Sequence, residues 1–171
     1  FSLRRVQTGP SGGTVGTMPS FKLRAAALLA LATFVPLAAL AATKPFPGPA
    51  GWDHSVTATP TADAPRAQET WKKGDGQQLA YLADAALSFD NTIALVKKNV
   101  ADNGFKTSVD ADRKCDGKRA HEVELTFGDA VVHQIIVDDA PGVTKLTYTR
   151  PQSIAPAADA TTALNAYCGA P

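Results

Sequence analysis

Hydrophobic and polar positions change period several times along this chain, and each change marks an element. Trp52, His54 and Val56 alternate with polar neighbours across residues 52–59, the period of a β-strand. Pro60 to Pro65 is rich in breakers and reads as a loop. Arg66 to Lys73 and Gln77 to Ala83 are two short runs flanking Gly74-Asp75-Gly76, which predicts a hairpin. Trp71 is its large apolar contributor, and Leu79 and Tyr81 share one face. Phe89, Ile93, Val96 and Val100 then recur at spacings of four, three and four, predicting a helix with a single apolar stripe. Ser88 or Asp90 is placed to cap its start through a side-chain oxygen. Lys97 and Lys98 sit late, where the helix dipole favours cations. Gly104 suits the left-handed position after the last turn, with Phe105 packing back on the helix.

The second half returns to strands. Phe105 to Asp110 reads as a strand and Asp112 to Gly117 as a polar loop holding Cys115. From Arg119 to Phe127, His121, Val123, Leu125 and Phe127 face one way and Ala120, Glu122, Glu124 and Thr126 the other. Gly128-Asp129 turns the chain. Val131 to Val137 is apolar on both faces, which predicts a central strand covered on each side. Pro141-Gly142 is a turn signal, and Val143 to Arg150 is a strand stopped by Pro151. A last helix opens at Pro156 or Asp159 and runs to about Tyr167. This order predicts an α+β fold: an antiparallel sheet with helices packed on it, sandwich-like in the α/β/α sense.

The N-terminal quarter has a different pattern. Its only methionine is Met18, and residues 1–17 are Gly/Ser/Thr-rich without periodicity, the composition of an upstream or disordered extension. Arg4-Arg5 is followed by Val6-Gln7-Thr8 rather than by an apolar run, so a twin-arginine signal is not expected. From Met18, Lys22 and Arg24 precede an uncharged Ala/Leu-rich stretch, and Ala39-Leu40-Ala41 places small residues where a signal peptidase reads. Residues 18–41 are therefore expected to be a cleaved signal peptide rather than an anchor, since a spanning helix needs about 20 strongly apolar residues. Residues 42–51, with Pro45, Pro47 and Pro49, form an extended lead-in, and residues 52–171 a single α+β domain.

Cleavage alters the charge balance. All sixteen acids lie beyond residue 52, while four of the seventeen bases (Arg4, Arg5, Lys22, Arg24) precede Ala42. The mature chain then carries thirteen bases and sixteen acids, net −3 with histidine neutral. Interspersed, mildly acidic charge argues against a nucleic-acid partner. The two cysteines, Cys115 and Cys168, read as a disulfide in an exported chain, and no C-x-x-C redox motif is present.

The order of elements resembles the PsbP-like fold. The features that carry this are the Pro49-Ala50-Gly51-Trp52 lead-in, the early hairpin with Trp71 and the mid-chain helix ending Asn103-Gly104. The long antiparallel strands and the C-terminal helix complete it. The resemblance implies a fold whose members include photosystem accessory proteins, a nuclear-transport factor and exported bacterial proteins of unknown function. It has no shared catalytic motif, so it implies no site residue, and fold alone does not fix function.

Candidate chemistry is sparse. His121 and His133 lie on neighbouring strands. A two-residue turn sets His121 against Ile136 and His133 against Glu124; a three-residue turn moves His133 to Leu125. In neither register are the histidines direct partners, and no shared metal site is expected. His121 and Glu122 point to opposite faces. Asp110, Asp112 and Asp116 resemble a calcium loop but lack its sixth-position glycine, which is Cys115, and its terminal acid, since Glu122 falls one position late. Arg113-Lys114 and Lys118-Arg119 surround Cys115, interleaved with acids. Ser55, Ser88, Ser108 and Ser153 lack a nucleophile-elbow context, and Gly74-Asp75-Gly76 is too short for a phosphate loop.

No catalytic residue, cofactor or metal is therefore expected. The expected function is a soluble exported domain, periplasmic or extracellular, that binds a protein partner or small ligand without catalysis, with no membrane span after cleavage and an oligomeric state left open. The alternatives are an enzyme or metal-dependent site built from dispersed residues including His121 or His133, and a structural envelope component. A precursor made in an exporting host is expected to yield an intact mass starting near Ala42 and two hydrogens lighter than the reduced chain. An uncleaved or fully reduced mass would overturn the export expectation.

Overall fold

The computed structural model describes residues 44–61 and 66–169. The expected extension, signal peptide and cleavage point, and most of the loop before Arg66, lie outside the described residues. Two meanders of different length make up the rest. The first joins β1 (Asp53–Ala58), β2 (Arg66–Lys72) and β3 (Gln78–Asp84). The second joins four ten-residue strands, β4 (Lys106–Cys115), β5 (Lys118–Phe127), β6 (Ala130–Asp139) and β7 (Gly142–Pro151). Antiparallel pairing of β3 with β7, Tyr81 opposite Leu146, fuses them into one seven-stranded sheet of order β1-β2-β3-β7-β6-β5-β4.

Helix α1 (Phe89–Asn103) bridges the meanders across one face, and α2 (Ala158–Cys168) follows β7 on the other. The apolar strand β6 is sandwiched as its two-faced pattern predicts. Ile136 packs with Phe89 and Val143 beneath Ile93 and Val96 of α1, while Ile135 and Val137 join the larger core under α2. The expected α+β architecture is thus observed. Among the described residues no helix is long and apolar enough to cross a membrane.

The larger core is built on aromatic residues. Trp71, Leu79, Tyr81, Leu146 and Tyr148 from the sheet meet Leu164 and Tyr167 from α2. Phe46, set between two prolines of the lead-in, enters the same cluster, with ring centroids 5.1 Å from Trp71 and 5.7 Å from Tyr167. Gly48 lets the lead-in lie this close: a Cβ there would sit 2.5 Å from the Trp71 indole nitrogen. The lead-in is therefore part of the core, more than the extended segment its prolines predict.

Several local expectations need correction. Residues 112–115 are the end of β4, not a loop: Asp112 pairs with His121, Arg113 with Ala120 and Cys115 with Lys118. Only Asp116-Gly117 turns the chain, both with positive φ (52° and 77°), the geometry that favours an Asp-Gly hairpin. Strand β1 is an edge strand, so its alternation buries little and Val56 is exposed. Ser88 precedes α1 in an extended conformation but makes no side-chain cap; its carbonyl accepts the Thr92 N–H at 2.9 Å. The helix runs on to Asn103, so Lys97 and Lys98 fall short of its last turn and instead pair with Asp110 and Asp102. Gly104 does take the left-handed conformation, φ 63°.

Cys115 and Cys168 are disulfide-bonded across 53 residues of sequence. The Asp116 N–H also donates to the Cys168 carbonyl at 2.6 Å. In the chain-entropy picture a closed loop of this length contributes about 4 kcal/mol. Replacing both cysteines by alanine is expected to lower the unfolding free energy by about that amount, read by urea denaturation against the oxidised wild type. A difference within error would show that α2 docking is self-sufficient.

Candidate functional site

The register decides what the histidines can do. Phe127 pairs with Ala130, so the β5–β6 turn has two residues, and His121 stands opposite Ile136 and His133 opposite Glu124. Glu122 opposes Ile135, which places His133 and Glu122 on the α2 face and His121 on the α1 face. A metal site shared by the two histidines is therefore ruled out by the sheet itself, and no metal-ligating cluster of three occurs among the described residues.

On the α1 face His121 is 2% exposed, flanked by two carboxylates of β4. Nδ1 lies 2.9 Å from Asp112 Oδ1 in a hydrogen bond, and this bond holds Asp112 below its ordinary value. Nε2 lies 3.0 Å from Asp110 Oδ1 but is not aligned for a hydrogen bond, so proximity is the whole of that contact. Lys97 of α1 reaches Asp110 at 3.6 Å. Asp110 and Asp112 thus clamp a histidine and anchor a helix; they sit on a strand, and no calcium loop forms. Lys118 pairs with Asp139, and Arg119 spans Asp138 and Asp90, so the basic cluster around Cys115 is spread over ion pairs.

Beside Trp71, His54 stacks at 4.7 Å and bonds Glu69 at 2.8 Å, an exposed edge contact. Asp75 accepts from both the backbone N–H and the side chain of Gln77, a structured turn and no phosphate cradle. Ser55 and Ser108 spend their hydroxyls on backbone carbonyls, Ser108 also on Glu124.

The α2 face carries a feature that no single motif announces. Between α2 and the outer strands lies a groove of about 420 Å³. Val131, Ile135, Tyr148 and Leu164 line its apolar part. Its polar part begins with a semi-buried chain of three groups. Arg113 Nη1 donates to Glu122 Oε2 at 2.8 Å, and His133 Nε2 lies 2.6 Å from Glu122 Oε1. Each oxygen of one carboxylate is therefore held by a different partner. Glu124 and Arg150 complete the lining. Partial burial raises the pKa of Glu122, but the bonds from His133 and Arg113 outweigh it and hold the carboxyl below its ordinary value. Burial pushes the Tyr148 phenol up.

Sequence reasoning left this chain of groups unassembled, although the two-residue register already makes Glu122 and His133 diagonal neighbours on one face. Chemically, Glu122 can orient His133 as a carboxylate orients a general base. The hydrogen bonds of the described residues bring no hydroxyl or thiol to the His133 ring, and both cysteines are bonded. No family model, curated protein or solved structure matches this chain.

The depressed Glu122 fixes the sign of a pH effect. The unfolded carboxyl titrates near 4.5, so the pair's contribution is present above that pH and lost as pH falls through the lower folded value. The wild type is expected to lose Tm more steeply than Glu122→Gln between pH 5 and roughly pH 3. Parallel curves by circular dichroism would show that the pair contributes nothing.

Proposed function

We propose that this chain is an exported, non-catalytic binding domain that takes a small ligand in the groove between α2 and the sheet. The observation that carries the reading is the groove itself. At about 420 Å³ it falls in the size range of small-molecule sites, and it joins an apolar wall to a few fixed polar groups. Export is supported by the leader pattern of residues 18–41 and by the disulfide, a bond that persists mainly in oxidising compartments. The PsbP-like resemblance belongs to the same proposal and would add an accessory role in the envelope.

A second reading is favoured by the His133–Glu122 pair: an enzyme in which His133 is the general base toward whatever fills the groove. Turnover abolished by His133→Asn would select it.

The binding reading is tested at Asn165, an exposed residue of α2 on the groove wall. Asn165→Trp should fill the mouth at a stability cost of about 0.5 kcal/mol or less. In native mass spectrometry and a small-molecule thermal-shift screen, compounds bound by the wild type are expected to be lost from this variant. Binding unaffected by the tryptophan would place the ligand elsewhere.

A further inference from the structure

The charges around the groove are unequally answered. Arg113 and His133 both close on Glu122, so that set is internally satisfied. Glu124 accepts the Ser108 hydroxyl at 2.7 Å, on the outer side of the sheet. Arg150 differs from all of them. Its Nη1 donates to the Ile154 carbonyl at 2.8 Å and touches the Pro151 carbonyl at 3.5 Å. Among the described residues no carboxylate pairs with it. Carbonyls fix the orientation of a guanidinium without neutralising it, and a half-buried cation held this way is poised for an anion.

The neighbours of Arg150 narrow the class of anion. Its strand partner is Val131, and Tyr148 lies two residues back on the same face, opposite His133. Val131, Tyr148 and Leu164 line the same groove as Arg150 and give it apolar surface. Two carboxylates, Glu122 and Glu124, also line the groove, from β5, two strands away from Arg150, and disfavour a multiply charged phosphate. One planar fork beside apolar walls matches one carboxylate on an apolar body.

We propose that the groove binds a small organic monocarboxylate, its carboxylate paired with Arg150 and its hydrocarbon or aromatic body over Val131, Tyr148 and Leu164. This rests on the groove being a binding site, and the test separates the two claims. The oxidised, processed protein is titrated at low salt with hexanoate, octanoate and phenylacetate, and with the primary amide of each. Binding is followed by calorimetry and ligand-observed NMR. The acids are expected to bind about tenfold or more tightly than their amides. Arg150→Gln should weaken the acids to the level of the amides, and Arg150→Lys should keep part of the preference. Because Arg150 also holds residues 151–154, the amides serve as the control. Unchanged amide binding by Arg150→Gln shows an intact groove, so that a lost acid preference supports the pairing.

Equal binding of acids and amides by the wild type would overturn the carboxylate assignment and leave the groove as a binding site. An acid preference that survives Arg150→Gln would overturn the role of Arg150. No binding by any of the six compounds would overturn this inference, while the Asn165→Trp comparison continues to judge the groove on other ligands.

Discussion

Everything on the α2 face depends on that helix being fixed at both ends. At its start, the Tyr148 hydroxyl donates to the Gln77 side chain and accepts the Ala157 N–H at 2.9 Å. Trp52 adds a bond from its indole N–H to Asp159 at 2.7 Å. These bonds tie the helix to β7, to the residue just before β3 and to the residue just before β1. At its end the disulfide holds it to the last residue of β4. The helix thus starts at β7 in the middle of the sheet and ends at β4 on its edge. The groove is lined by that helix on one side and by residues of β4 to β7 on the other.

The two faces are held by different physics. Under α2 a continuous aromatic and aliphatic core does the work, and burial of this kind contributes in proportion to area. Under α1 the apolar set is small: Phe89, Ile93 and Val96 over Ile136 and Val143. Around it stand exposed ion pairs, Lys97 with Asp110 and Arg119 with Asp90, which solvent screens so that they add little. Leu95 is left exposed on the outer side of the helix. The α1 layer is therefore the softer one, and it carries costly polar groups: His121, buried between strands and helix with one nitrogen unaligned, and Lys145, whose charge burial disfavours.

Much of the fold was legible because period is a local property. The α1 stripe, the two-faced β6, the Gly128-Asp129 turn and the cysteine pair all follow from residues within reach of one another or from their count. What was missed turned on polar residues inside strands. Residues 112–115 look like a loop by composition, and their strand is dictated by partners on β5; the Asp116-Gly117 dipeptide was the available signal. Phe46 was hidden by its prolines, since a breaker-rich segment says nothing about which side chain it delivers to a core. Of the candidate site, the Glu122–His133 pair follows from register alone. Arg113, Arg150 and the groove do not, because they depend on where a helix beyond β7 comes to lie.

One last consequence concerns order in time. Among the described residues the ladder joining the two meanders is β3 with β7, about 65 residues apart in sequence. Trp71, Leu79 and Tyr81 share one core with Leu146 and Tyr148 of β7 and with Leu164 and Tyr167 of α2. Such non-local pairing is slow and must bear its loop-closure entropy before burial rewards it. A chain emerging from the ribosome therefore lacks the larger core until β7 and α2 have been made. Its first meander waits for β7 and α2.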